Sequence, residues 1–241
     1  MKFLRRIGKE RDTNDDSKHQ VSRQGIELPA SLITEAALSV FQKRYPALKG
    51  SASSETQSVI LALGDLTEEE QLRLILDLVF FKQNPQLPLE NLCNRIDNYS
   101  PQTESQYQLL RDAKELLDLK TPVVAAGLFI WGEAGGGKTH LAVGLTKEFM
   151  ERRFNPNFVN ASDFSRLTEI QLSPNQVWIL DDLNSPYGEG MNAFKRIVLN
   201  AHNSGGRVFV TSNMPYEELM EHAFVADPGE KPRYLDRTKG M

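Results

Sequence analysis

Residues 132–139 read Gly132, Glu133, Ala134, Gly135, Gly136, Gly137, Lys138, Thr139. No other stretch constrains the chain as much, because it fits the phosphate-loop pattern G-x-x-x-x-G-K-[ST]. Glycines let the backbone turn so that successive N–H groups face phosphate oxygens. A helix starting near Lys138 adds the positive end of its dipole. Lys138 is then placed to neutralise β/γ-phosphates, and Thr139 to offer its hydroxyl to Mg2+. The flanks suit this reading. The apolar run Val123 to Trp131 precedes the loop as a strand, and His140, Leu141, Ala142, Val143 and Leu145 continue as a helix. The expected nucleotide contacts are Gly132, Gly135, Gly136, Gly137, Lys138, Thr139 and His140, with ATP and Mg2+ as the cofactors.

Two later segments extend the site. Val177, Trp178, Ile179 and Leu180 form a buried-strand run that ends in Asp181 and Asp182. With a phosphate loop present, Asp181 is the expected holder of the Mg2+ water shell. Asp182 is the expected base that polarises an attacking water. Alone, two aspartates after a strand often just open a loop. Val208, Phe209, Val210, Thr211 and Ser212 lead into Asn213. Asn213 can orient the lytic water or cap a helix starting near Pro215, and the two roles are compatible. Helical segments alternate with the short strands Phe158–Val159, Val177–Leu180 and Val208–Thr211. That order argues an α/β fold, a parallel sheet with helices on both faces.

The rest of the chain carries no visible chemistry. Residues 26–119 read as a small all-helical region. Leu32, Ile33, Ala36, Val40 and Phe41 fall at helix spacing, and Gly50 to Glu55 reads as a loop. Thr67, Glu68, Glu69, Glu70 is a capping box ahead of the stripe Leu72, Ile75, Leu76, Val79, Phe80. Pro88 opens a short helix carrying Leu89, Leu92, Cys93 and Ile96, and another runs through Tyr107, Leu110, Ala113 and Leu117. Residues 1–25 read as a flexible basic tail; in its first eleven residues Lys2, Arg5, Arg6, Lys9 and Arg11 stand against Glu10 alone. One cysteine, Cys93, excludes an internal disulfide, so a cytoplasmic, reducing setting is expected. No run of ~20 apolar residues offers a membrane span. The net charge is −4, which removes any cheap argument for nucleic-acid binding from overall charge.

The three motifs together resemble the AAA+ ATPases of the DnaC/IstB helicase-loader clade, with DnaA close by. Gly127 to Gly132 leading into Gly137, Lys138, Thr139, His140, Leu141 and Ala142 carries the first part of the likeness. Ile179, Leu180, Asp181, Asp182, Leu183 resembles the clade's Walker B, and Thr211 to Leu219 its sensor 1 strand and following helix. The ZapE-type AAA+ ATPases share the Gly127 to Gly132 phrasing and the Thr-Ser-Asn. The likeness spans about 122–237, roughly half the chain. It implies an arginine finger that reaches a neighbouring subunit's γ-phosphate. Arg233 and Arg237 are the candidates, and Arg237 sits where the clade's box VII arginine falls.

The sequence also departs from that pattern. It stops at Met241, where the clade continues into a fifth strand, and no lid follows. The core at 120–241 is therefore expected to lack its last strand and lid, leaving the phosphate-loop strand at a sheet edge unless the N-terminal region or another chain covers it. Val159 and Gln176 are close together, where loaders and initiators carry a longer element that contacts single-stranded DNA. The expectation is an ATP-binding and ATP-hydrolysing P-loop NTPase of AAA+ type. It would act on a helicase-like protein through residues 26–119, or on nucleic acid, as a homo-oligomer. The alternatives are an ATP-gated protein-binding module without DNA binding, and a scaffold holding a static nucleotide. The intact Lys138, Asp181, Asp182 and Asn213 set argues against the last.

Overall fold

The computed structural model describes residues 25–29, 33–53, 58–118, 127–160, 163, 175–185, 188–204 and 206–223. The chain divides into two compact units, Met1–Lys82 and Gln83–Met241.

The first unit is not all-helical. Strands β1 (Gly25–Pro29), β2 (Lys49–Ser53) and β3 (Ser58–Ala62) form an antiparallel sheet in the order β1-β3-β2. β2 and β3 are paired from Lys49↔Ala62 to Ser53↔Ser58. The all-helical expectation for 26–119 is thus corrected at 26–29 and 58–62, and the expected loop at 50–53, residues 54 and 55 lying outside the described residues. Val59 and Ile60 are β-branched and favour a pleated surface, and the run they sit in is too short for a helix. Polar Lys49–Ser53 becomes a strand because β3 supplies its hydrogen-bond partners, which local composition does not reveal. Helices α1 (Glu35–Arg44) and α2 (Glu68–Gln83) belong to the same stretch. Thr34 caps α1, its Oγ1 accepting from the Ala37 N–H. The expected capping box opens α2: the Glu70 N–H donates to Thr67 Oγ1 and the Thr67 N–H to Glu70 Oε2. Ile33, Ala37, Phe41, Tyr45, Leu61, Leu74 and Leu78 are buried here. The basic tail lies outside the described residues, except Gly25, which begins β1.

The second unit is the α/β layer structure. Strands β4 (Gly127–Trp131), β5 (Asn155–Asn160), β6 (Gln176–Asp181) and β7 (Arg207–Ser212) pair in the order β4-β7-β6-β5, all parallel. Helices α3 (Glu104–Asp118), α4 (Lys138–Glu151), α5 (Gly188–Ser204) and α6 (Tyr216–Ala223) complete the described elements. The central strands β6 and β7 are buried along almost their whole length, as strands covered on both faces must be. Trp178, Leu180, Val208 and Val210 pack with Phe194, Ile197, Val198 and Leu219 in one core cluster. Phe209 points to the α4 side and meets Phe149 there. The register Trp131↔Ser212 and Asn160↔Asp181 brings the carboxyl ends of the strands to one side, where open α/β sheets place their ligands. Among the described residues β4 pairs only with β7.

The boundary expected near 119–120 falls instead after Lys82. Residues 83–118 belong to the α/β unit because they cover polar backbone and the back of α4. Asn84 Oδ1 accepts the Phe158 N–H at 2.6 Å and Gln86 Nε2 donates to the Phe158 carbonyl. Two side chains thereby blunt the open edge of β5. Lys147, fully buried on α4, donates from Nζ to the Leu92 carbonyl at 2.6 Å. Gly144 lets the backbone of Arg95 and Ile96 lie against α4, where an added Cβ would come within 2.8 Å of both. The helix expected from Pro88 is a single 3-10 turn, Leu89–Asn91. Beyond it the chain is irregular, and Asn98 side-chain bonds to the Arg95 N–H and the Cys93 carbonyl replace helical ones.

Candidate functional site

The loop after β4 has the backbone a phosphate cradle needs. Gly132, Gly135 and Gly137 have φ of 148°, 79° and 79°, values that L side chains resist. A Cβ on Gly132 or Gly135 would meet nothing within 4 Å, so the loop is open there. Gly137 caps α4 in the left-handed conformation, and the N–H groups of the first helical turn have no partner within the helix. The Gly132 N–H donates to the Ser212 carbonyl, which ties the loop's start to the end of β7.

Lys138 is buried, at 8% exposure. Its Nζ donates to the carbonyls of Gly132 (3.0 Å) and Glu133 (2.9 Å) and to Asn213 Oδ1 (2.9 Å). The ammonium is thus held across the loop by fixed acceptors. Thr139 Oγ1 donates to Asp181 Oδ1 at 2.7 Å, and Thr211 Oγ1 donates to the same oxygen at 2.7 Å. Thr211 also accepts the Asp182 N–H at 3.0 Å, so one hydroxyl aligns both acids. Burial pushes the Asp181 carboxyl above its ordinary range and Asp182 adds to this, against the two hydroxyl bonds and Lys138. Asp182 is exposed at the strand end with φ 59°, in the left-handed region that aspartate tolerates.

Asn213 is held by its neighbour across the sheet. Its N–H donates to Asn184 Oδ1 at 2.6 Å, and Ser212 Oγ donates to the Leu183 carbonyl at 2.7 Å. Lys138, Thr139, Asp181 and Asn213 therefore meet, with Asp182 beside them. His140 is turned elsewhere. Its Nε2 faces the Arg95 carbonyl (3.1 Å) and Asn98 Oδ1 (2.8 Å), two acceptors that place the ring proton on that nitrogen. Tyr99 packs edge-on against the ring at 5.4 Å. The His140 side chain thus anchors residues 95–99 to α4 and is not aimed at the loop. Burial holds its pKa below the ordinary histidine value. Arg233 and Arg237 lie outside the described residues.

Sequence reasoning missed Tyr99 and Gln106. The Tyr99 hydroxyl donates to the Gly136 carbonyl at 3.3 Å and Gln106 Nε2 donates to it at 3.1 Å. The spacing of Thr103 and Gln106 marks a helix cap in the sequence, but nothing local indicates that its glutamine reaches the loop. Thr211 was visible within its motif, while the supporting role of Asn184 depends on the pairing of β6 with β7.

The site's geometry fits a nucleotide with Mg2+. No cluster of three metal-ligating acidic, histidine or cysteine side chains exists among the described residues. Mg2+ at phosphate sites needs none, since it takes one or two protein oxygens and fills the rest with water and phosphate. The Thr139 hydroxyl and the Asp181 carboxylate are such a pair, lying beside an open cradle.

No protein-family model and no curated protein matches the chain. Solved structures do. The chain is similar to DnaI, with a TM-score of 0.51 and 21% identity over 64% of this chain and 87% of that one. It is also similar to the DnaC helicase loader (TM-score 0.47, 20% identity, 61% of this chain and 93% of that one). AMPPCP-bound DnaA from Aquifex aeolicus gives a TM-score of 0.45 at 19% identity, over 59% of this chain and 48% of that one. At these identities the likeness is one of fold, and the DnaI match carries it: the second unit shares the parallel α/β fold of that structure. No helix among the described residues is long and apolar enough to cross a membrane.

Proposed function

We propose that this protein is a Mg2+-dependent ATP-binding and ATP-hydrolysing AAA+ protein that acts, as helicase loaders do, on a protein partner. One observation carries the reading. Lys138, Thr139, Asp181 and Asn213, from three separate strand ends, converge beside one open glycine loop. A glycine-rich turn with no ligand gives no reason for this convergence.

The steps follow from the parts. The N–H groups of Gly135, Gly137, Lys138 and Thr139 take the phosphate oxygens, while the Gly136 N–H donates to the Glu133 carbonyl within the loop. Lys138 neutralises the β/γ-phosphates from a position already fixed by three acceptors. Thr139 and Asp181 would hold Mg2+, which would supply charge neutralisation to the bound phosphates. Asp182, exposed next to Asp181, takes a proton from the attacking water, and Asn213 orients that water. Arg237 of a neighbouring copy completes the charge stabilisation, so the active form is a homo-oligomer. Catalysis is then positioning plus electrostatics, with no covalent intermediate. Residues 26–119 take the helicase-like partner, the setting is cytoplasmic, and nucleic acid is a further ligand to be tested.

The test is ATP turnover per molecule as protein concentration rises, with Lys138→Ala as control. The expected specific rate climbs with concentration and vanishes in the variant. Tight ATP binding with flat, negligible turnover would replace this reading with an ATP-gated protein-binding module. Absence of ATP binding would end both. A salt-dependent shift of single-stranded DNA in the presence of ATP would add nucleic acid as a ligand.

A further inference from the structure

Two donors converge on one carbonyl of the phosphate loop, and neither belongs to a sequence motif of the site. Tyr99 Oη and Gln106 Nε2 both donate to the oxygen of Gly136. Each donor is itself held. Gln106 Oε1 accepts the N–H groups of Gln102 (2.6 Å) and Thr103 (3.1 Å), while Thr103 Oγ1 accepts the Gln106 N–H at 3.3 Å. This capping box pins the amide oxygen at the start of α3, so the amide nitrogen has to face the loop. Tyr99 is pinned by its edge contact with His140. Its ring fills the space over Gly137, where an added Cβ would lie 2.7 Å from Cε2.

A trans peptide is planar, so its C=O and N–H point in opposite directions. Drawing the Gly136 oxygen towards residues 99 and 106 turns the Gly137 N–H to the face of the loop those residues leave free. We infer that Tyr99 and Gln106 are positioning residues of the phosphate site: together they lock the Gly136–Gly137 peptide with its N–H presented to the bound phosphates. The inference rests on the nucleotide reading above. It adds that phosphate affinity depends on residues lying before β4, 37 and 30 positions upstream of Gly136.

The test uses the full chain with Tyr99→Phe, Gln106→Glu and the double variant. Tyr99→Phe keeps the ring and removes only the donor. Gln106→Glu keeps the oxygen that caps α3 and replaces the donating nitrogen by an acceptor. Calorimetric titration with Mg-ATP and with inorganic tripolyphosphate separates phosphate from base. Tyr99→Phe is expected to weaken both ligands equally, about fivefold, as loss of one neutral hydrogen bond would. The double variant loses more, and its loss persists at high salt, where simple repulsion by the new carboxylate is screened. Unchanged affinity for both ligands in the double variant would overturn the inference. So would weakened ATP with unchanged tripolyphosphate, because Tyr99 and Gln106 would then be touching the base. Failure of the wild-type chain to bind either ligand overturns the nucleotide reading itself, and Lys138→Ala binding as well as wild type would do the same.

Discussion

The three consecutive glycines of the loop should respond very differently to alanine. Gly135 has φ 79° and open space around it, so Gly135→Ala meets only the backbone penalty. That penalty is roughly 1–2 kcal/mol for a non-glycine residue in the left-handed region. Gly136 has no positive φ, and its added Cβ would meet the Glu133 carbonyl at 3.2 Å. Alanine there also restricts the unfolded chain, which contributes about 0.4–1 kcal/mol in its favour, so Gly136→Ala should be close to neutral. Gly137 combines φ 79° with a Cβ position 2.7 Å from Tyr99 Cε2. Overpacking adds about 1–3 kcal/mol, for a total of roughly 2–5 kcal/mol. The Tyr99 ring cannot simply move aside, since His140 and the Gly136 carbonyl hold it. Urea unfolding of the nucleotide-free chain, followed by far-UV circular dichroism, measures the series. In a Tyr99→Ala background the extra loss at Gly137 should disappear, leaving Gly137→Ala equal to Gly135→Ala. The packing argument fails if Gly137→Ala is no worse than Gly135→Ala in the parent, or if the Tyr99→Ala background leaves the difference intact.

His140 should make the fold acid-sensitive. Burial holds its pKa below the ordinary 6.5, so below that pH the unfolded chain binds a proton the folded one refuses, and stability falls as pH drops. His140→Gln should flatten that part of the stability-pH curve, and an unchanged slope would refute the assignment. Asp181 has the opposite sign. Its folded-state pKa is raised above 3.8, so stability falls as pH rises through that window and the ionised group opposes folding at neutral pH. Asp181→Asn is expected to raise Tm at pH 7 while abolishing Mg2+-dependent ATP turnover; a lowered Tm would contradict this. On the proposed reading Asn213→Ala should lower kcat by roughly 10- to 100-fold with a smaller change in KM for ATP, because Asn213 orients water and reaches the nucleotide only through Lys138, which keeps two other acceptors. A matching rise in KM would instead assign Asn213 to ground-state binding. Asn84→Ala leaves the buried Phe158 N–H without its acceptor and should cost roughly 1–3 kcal/mol in chemical denaturation.

Local sequence determined the geometry of the candidate site to the extent that backbone conformation and residue type carry it. Gly132 to Thr139 can be read because left-handed φ values demand glycine and a phosphate demands lysine and a helix start, all within eight residues. Asp181 and Asn213 can be read because buried parallel strands show as continuous apolar runs and ligands gather where such runs end. The capping box at Thr67 is equally local. What tertiary structure alone decided are contacts between residues distant in sequence. Lys49–Ser53 is polar and becomes a strand only because β3 supplies its partners. Within residues 83–118 only α3 is a regular helix, and its spacing does not reveal that this stretch serves the α/β unit. Asn84 on Phe158, Lys147 on Leu92 and Tyr99 with Gln106 on Gly136 tie them there. His140 follows the motif in sequence yet turns away from it, because the acceptors that pull on its ring, at Arg95 and Asn98, come from more than forty positions upstream. Periodicity records which face of an element is apolar; which partner covers that face is set by packing across the fold.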